Sequence, residues 1–376
     1  MYELSFLLFF NFHFHIFWTL FFLRIKTKLN ANHNLICWCG MLNISYHPDF
    51  MFHKTGKAHP ERKERLESVL DVFDSKNVWD TTNEIGAYNV DNEILELIHS
   101  SGYIEKIENF CKKGGGSLGP DTDVGSFSFK AAKRAVGAGI KLSEKAIREQ
   151  KDGFGLVRPP GHHAKIGEAM GFCLFNNLAI CAETALETQQ RVAIVDFDVH
   201  HGNGHQDVFF DRKDVLYLSI HQHPHFPNTG RMNMTGKGSG DGYNINMPLG
   251  AGKGDVDYEY VFETLFLPIL EQYSPDLVLV SAGYDAHELD NFSGMCLSNE
   301  AFESMAKEIS GLEVPTVCLL EGGYNTEVLP DSILATLRGF GVMVDYDIEV
   351  DRVEQEISEE TKQKVNEIKK KLTRWF

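Results

Sequence analysis

Paired cysteines are missing from this 376-residue chain. The seven present, Cys37, Cys39, Cys111, Cys173, Cys181, Cys296 and Cys318, include no CxxC, so neither a zinc ribbon nor a thioredoxin-like pair is indicated. Their number is odd and, apart from a lone CxC at Cys37-Trp38-Cys39 that is read as chance, they lie far apart, which fits buried free thiols in a reducing compartment. Excess positive charge is missing too: Lys plus Arg number 36 against 53 Asp plus Glu, a formal net charge of −17. That argues against direct nucleic-acid binding, where affinity comes from basic side chains displacing counterions. The 33 glycines and 12 prolines follow no period, which excludes collagen-like and low-complexity chains. There is no internal repeat and no Walker A sequence. The reading assigns no GxSxG nucleophile motif and no GxGxxG, so neither acyl-enzyme chemistry nor a nucleotide cofactor is expected.

What is present divides into an unusual start and an ordinary remainder. Residues 4–23, LSFLLFFNFHFHIFWTLFFL, are almost wholly apolar and long enough to span a bilayer, which takes roughly 20 residues. Asn11, His13 and His15 would sit near mid-span, where polar groups are costly. No positive region precedes the run and no small-residue cleavage site follows, so a signal peptide is the weakest reading. Domain-like sequence begins at Met41. The favoured reading makes residues 1–40 an extension outside the fold and the protein cytoplasmic, with membrane contact expected only if residues 4–23 are a genuine anchor.

From residue 41 onward, apolar runs at Phe154–Val157, Val192–Val195, Val215–Ile220, Leu277–Ser281 and Thr316–Leu320 predict buried parallel strands. Helical patterns alternate with them at Phe129–Arg148, Asn176–Thr188, Tyr258–Gln272, Asn299–Ile309 and Ser332–Phe340. The expected fold class is α/β, a three-layer sandwich with a mainly parallel central sheet. No linker divides residues 41–345, which are read as one catalytic domain. Residues 346–376 are charged, with Val353, Ile357, Val365, Ile368 and Leu372 at helical spacing. They predict an amphipathic helix, expected to pack against its own domain rather than against a partner.

The polar, glycine-bearing clusters follow the predicted strands: RPPGHHA at 158–164, DFDVHHGNG at 196–204, SIH at 219–221, SAGYDAH at 281–287 and EGGYN at 321–325. In open α/β sheets, ligands bind beyond the carboxyl ends of the strands, so these clusters converge on one edge. Asp198 and His200 are two apart and face the same side of an extended segment. With Asp285 they make a three-ligand site with positions open for water and substrate. Mixed N/O ligation suits Zn²⁺, with Fe²⁺ or Co²⁺ left open. A two-metal site would need further carboxylates where Gly202 and Asn203 stand, so one ion is favoured. His162 and His163 follow a Pro-Pro-Gly turn and are candidate base and acid. Asp196 and Asn203 are available to orient them, the carboxylate favouring imidazolium and the amide leaving its histidine less basic. Tyr324 is the candidate oxyanion donor. Together these groups specify hydrolysis of an acyl bond.

In this order the clusters resemble the zinc-dependent histone deacetylase superfamily, with its arginase/deacetylase-like fold, from about Tyr46 to about Leu337. HPER (59–62), GFCLFNN (171–177), HHGNG (200–204), SIHQ (219–222) and FPNTG (226–230) carry the resemblance with the clusters above. Asn203, HPER and HHGNG point to the class II-like or acetylpolyamine amidohydrolase-like branch. The resemblance implies Asp198, His200 and Asp285 as zinc ligands and His163 as general base and acid. It makes His162 the electrostatic partner, Asp196 and Asn203 the groups behind the two histidines, and Tyr324 the oxyanion donor. It implies a narrow tunnel walled by Gly171, Phe172 and Phe226, a rim carboxylate at Asp121 or Asp123, and Arg62 beside an acetate-release channel. It further implies structural K⁺ near Asp196, Asp198, His200, Ser219 and Ile220, and a second monovalent site around Phe209, Arg212, Val215 and Tyr243. Phe292 stands where the polyamine-selective branch has a Glu. This tilts the expected substrate from an acetylated polyamine towards acetyl-lysine on a protein or peptide. The reading as an inactive acyl-lysine binding module is disfavoured, since neither a ligand nor the Tyr is lost. The oligomeric state stays open.

Overall fold

The computed structural model describes residues 41–348 and 356–376, with the backbone of Thr27–Leu29 and Leu35–Cys37. The apolar run at 4–23 and Val353 lie outside the described residues. Two units separate, Met1–Met41 and Leu42–Phe376. The first holds an antiparallel pair, Thr27–Leu29 with Leu35–Cys37. Among the described residues no helix is long and apolar enough to cross a membrane.

The second unit is built on an eight-stranded sheet. Its strands are β1 (Asn43–Tyr46), β2 (Asn83–Gly86), β3 (Gly153–Gly155), β4 (Val192–Asp196), β5 (Val215–Gln222), β6 (Asn244–Leu249), β7 (Leu277–Ala282) and β8 (Thr316–Leu320). The order is β6-β5-β4-β7-β8-β3-β1-β2 and every pairing is parallel, so all carboxyl ends lie on one edge. Register sets Asp196 beside Ser219 on one side and Ser281 on the other. The central strands are buried along their whole length, as continuous apolar runs require.

Helices surround the sheet: α1 (Glu64–Ser75), α2 (Ser101–Lys112), α3 (Ser128–Glu149), α4 (Asn177–Leu186), α5 (Asn203–Phe209), α6 (Asp255–Val261), α7 (Leu267–Tyr273), α8 (Asn299–Ser310), α9 (Leu329–Gly339) and α10 (Glu359–Leu372). The Asn176 side chain caps α4 by accepting from the Ala179 amide. The helical pattern read at Tyr258–Gln272 is interrupted by a π-helical stretch, Phe262–Phe266, between α6 and α7. Strand β3 is shorter than the apolar run suggested. Leu156 and Val157 are buried beyond it, on the way to the Pro-Pro-Gly turn.

Helix α10 packs within the same unit, burying Thr361, Val365, Ile368 and Leu372. Lys364 Nζ donates to Pro248 O on edge strand β6 (2.8 Å), and Thr361 is tied to Asp257 on α6. The helix therefore shields a sheet edge that would otherwise present free backbone groups. Ile368→Ala is expected to cost about 2–3 kcal/mol, low in the range for a buried isoleucine because the helix is peripheral. A urea midpoint unchanged from wild type would refute the packing.

Candidate active site

The ends of β4 and β7 bring three candidate ligands together. Atoms of Asp198, His200 and Asp285 all lie within 4.8 Å of one another. His200 Nδ1 stands 3.1 Å from Asp198 Oδ1 and 3.0 Å from Asp285 Oδ2. All three residues are buried, and beyond its ion-pair contact with His200 the Asp285 Oδ2 atom has no hydrogen-bond partner. Burial and the neighbouring Asp198 push the Asp285 carboxyl up to about 6. Two buried acids around one imidazole leave negative charge uncompensated, the condition a divalent cation relieves. The surroundings are shaped to these oxygens: a Cβ at Gly283 would strike Asp198 Oδ2, and one at Gly322 would strike Asp285 Oδ2. The donor set of one nitrogen and two carboxylates fits a zinc-type ion.

His162 and His163 pack side by side next to this cluster, ring centroids 3.9 Å apart and planes tilted by 44°. His162 Nδ1 lies 3.3 Å from Asp196 Oδ2, which also accepts from Tyr217 Oη at 3.0 Å. His163 Nδ1 lies 2.8 Å from Asn203 Oδ1. That oxygen only accepts, so Nδ1 carries the proton and Nε2 presents its lone pair. The histidines are driven apart electrostatically. Burial lowers both, but Asp198 and Asp196 overcome it at His162 and raise it to about 10. At His163, burial and the adjoining His162 and His200 leave it well below 6.5. Burial, then Asp285 and Asp198, push the Tyr324 phenol well above its usual range, so it keeps its O–H.

Aromatic rings surround the approach. Phe292 packs on Tyr324 at 4.4 Å, Phe172 on Tyr324 at 5.7 Å and Phe226 on His163 at 5.2 Å. Phe226 and Phe292 are each 37% exposed while Asp198 and Asp285 are fully buried, so the rings form the mouth and the acids the floor. The wall at 171–172 takes left-handed backbone, φ +55° at Gly171 and +66° at Phe172. That conformation is unusual for a bulky residue and is held by hydrogen bonds. The Asp121 carboxylate accepts from Gly171 N, and Thr122 Oγ1 accepts from Phe172 N. A Cβ at Gly171 would collide with the His163 ring. Of the two rim candidates, Asp121 touches this wall, while Asp123 begins a short hairpin strand, Asp123–Gly125. Ser219 and Ile220 lie buried on β5 beside β4, Ser219 Oγ 2.9 Å from His221 Nδ1.

Residues 59–340 match the family model described as the histone deacetylase domain. A probable deacetylase of Methanothermobacter thermautotrophicus is 38% identical over 300 residues, 79% of this chain and 89% of that protein. The chloroplastic histone deacetylase 14 of Arabidopsis thaliana is 35% identical, covering 75% of this chain and 73% of that one. The crystal structure of the HDA15 HD domain superposes with a TM-score of 0.82 at 30% identity, covering 89% and 95% of the two chains. The chain belongs to the histone deacetylase family. As a family member it is a hydrolase of amide bonds that acts on acetylated substrates, and its fold is that of the deacetylases.

Several positions in this deacetylase carry no motif signal and escaped sequence reading. Arg65, rather than Arg62, occupies the inner position: it is fully buried, its Nη2 donates to Glu321 O (2.7 Å), and its guanidinium lies 5.1 Å from the Tyr324 ring centre. Asp290 Oδ2 accepts from the Tyr324 and Asn325 amides at 2.6 and 2.9 Å, while its Oδ1 accepts from Phe292 N. One carboxylate thus ties Phe292 at the mouth to the turn bearing Tyr324. One segment does carry a motif signal: residues 114–119, GGGSLG, fit both the GxSxG and GxGxxG patterns, contrary to the sequence expectation that neither is present. They form a surface hairpin, Gly115–Ser117 with Asp123–Gly125, where the exposed Ser117 hydroxyl donates to Gly119 O. A strand-to-helix elbow, which either motif needs, is absent there.

Proposed function

We propose that this deacetylase removes acetyl groups from Nε-acyl-lysine side chains of proteins or peptides with one bound Zn²⁺. The observation that carries the reading is the convergence of Asp198, His200 and Asp285 beside two histidines of opposite protonation tendency. Asp198, His200 and Asp285 would hold the ion, which supplies positive charge for polarising the amide carbonyl and acidifying water. The lone pair of His163 Nε2 takes the proton of the attacking water and then returns it to the departing amine. His162, held charged by Asp196, contributes positive charge beside the reacting carbonyl. Tyr324 donates its O–H to the oxygen that gains charge. Main-chain oxygens near Ser219 and Ile220 would hold a structural K⁺. The apolar mouth of Phe172, Phe226 and Phe292 suits the methylene stem of lysine and gives no counter-charge to a second ammonium. The net charge of −17 favours the approach of cationic substrates.

Turnover of an acetyl-lysine peptide by zinc-loaded protein, abolished by chelator, tests the reading. Absence of acetate release from any acylated amine would end it. A higher kcat/KM for acetylspermidine than for the peptide would move the substrate to the polyamines. Tyr324→Phe is expected to lower kcat by about 10²–10³ with the bound metal retained. An undiminished kcat would remove Tyr324 from the chemistry.

A further inference from the structure

Gly161 and His162 present consecutive buried amide N–H groups at the head of the histidine-bearing turn. Buried N–H groups need acceptors. Both find the same one: Glu321 Oε2, 2.7 Å from Gly161 N and 3.2 Å from His162 N. The turn cannot easily supply another, because a Cβ at Gly161 would already press on Asn177 N at 2.6 Å, so the main chain there has no room to shift.

Glu321 is itself held through its main chain on both sides. Its N–H donates to Ala282 O on β7, and its carbonyl accepts from Arg65. The next residues are fixed as tightly: Gly322 N donates to Asp198 Oδ2, and Tyr324 N to Asp290 Oδ2. The main chain of this turn therefore presents Tyr324, and a side chain three residues earlier grips the turn bearing His162 and His163. Glu321, Cys173 and His162 could also be taken for a second metal cluster. Those atoms are already committed, Glu321 Oε2 to the Gly161 and His162 amides and Cys173 Sγ to Gly171 O.

We propose that Glu321 is a positioning residue whose single carboxylate oxygen, bonded to the Gly161 and His162 amides, fixes the histidine turn relative to the Tyr324 turn. The role rests on the deacetylase reading above. It demands an acceptor oxygen at the right reach, not a charge. Burial pushes the Glu321 carboxyl up to about 7, and an acceptor oxygen is available on either side of that value.

The test compares Glu321→Gln, Glu321→Asp and Glu321→Ala in the full-length, metal-loaded protein, with two readouts. The first is steady-state kinetics: Asp and Ala are expected to lower kcat by about 10–100-fold with KM little changed, as when a supporting hydrogen bond is lost, while Gln restores most of it. The second is amide hydrogen exchange of the peptide spanning 158–164, expected to be slow in wild type and Gln and faster in Asp and Ala. A charge-based role would rank Asp above Gln, and that order overturns the proposal. So does exchange in Asp indistinguishable from wild type. Should Ala fail to fold, the Asp–Gln comparison decides alone. Wild-type protein that releases no acetate from any acylated amine sinks the deacetylase reading instead, and the exchange order still decides the role of Glu321.

Discussion

Asp285→Asn is expected to lower kcat/KM by more than about 10³-fold, because a divalent ion in such a site contributes several kcal/mol of charge stabilisation. The substitution is nearly isosteric. Val199 N donates to Asp285 Oδ1 at 3.1 Å, and an amide oxygen can keep that bond. What changes is Oδ2, the buried oxygen without a hydrogen-bond partner, 3.0 Å from His200 Nδ1. An amide nitrogen in its place donates where a ligand must accept. Metal content measured by mass spectrometry should fall from one equivalent towards none. The metal-free proteins give an independent check. Burial and Asp198 raise Asp285 from 3.8 to about 6, so the folded chain holds this proton more tightly than the unfolded one. The contribution is full below 3.8 and is lost as pH rises through about 6. The Asp285 contribution to the stability of the metal-free wild type should therefore grow on acidification across that window, and the Asn variant should lack that part of the slope. Wild-type turnover and metal content in the variant would remove Asp285 from the site.

The sequence was most readable where a contiguous stretch does a whole job. RPPGHHA, DFDVHHGNG and SAGYDAH each put their functional side chains within a few residues of a strand end, and a parallel sheet brings strand ends together without further information. The strands that escaped notice lack an apolar run. β1 is NISY, β2 is NEIG, and β6 is NINMPL, where Pro248 and two Asn side chains mask an edge position. Asp290, Glu321 and Arg65 were unreadable as supports for another reason. Each acts on main-chain groups far away in sequence, Arg65 reaching Gly323 across 258 positions and Glu321 reaching Gly161 across 160. Any residue type can offer a backbone N–H or C=O, so nothing in the partner's identity announces the bond. Motifs therefore mark the side chains clustered at the strand ends and carry no mark of the residues that brace them.

The largest stability effect is expected from such a support, Glu61→Gln, at about 3–5 kcal/mol, as when one partner is removed from a buried ion pair. Glu61 is fully buried between two fully buried guanidiniums. Arg158 grips it through Nε and Nη2, the latter 2.8 Å from Oε2, and Arg65 Nη1 lies 3.2 Å from Oε1. The amide leaves two buried cations without their counter-charge and turns an N–H₂ towards one of them. Burial pushes the Glu61 carboxyl up, but Arg158 and His53 together outweigh it and hold the group well below 4.5. A depressed carboxylate stabilises above its unfolded value and loses that contribution as pH falls. Wild type should lose stability on acidification below 4.5, and the Gln variant should show a flatter acid limb. Arg62→Gln, a single position along but outside this network, should stay within about 0.5 kcal/mol of wild type. Urea midpoints for the pair decide, and equal midpoints would show that the buried charges are not coupled. The network also reaches the chemistry. Arg65 accepts its orientation from Glu61 and passes it to Gly323 O and Glu321 O, on either side of the glycine turn that ends in Tyr324. A Glu61 variant that still folds at low temperature should therefore lose kcat as well as stability. An exposed ion pair of equal geometry would do neither.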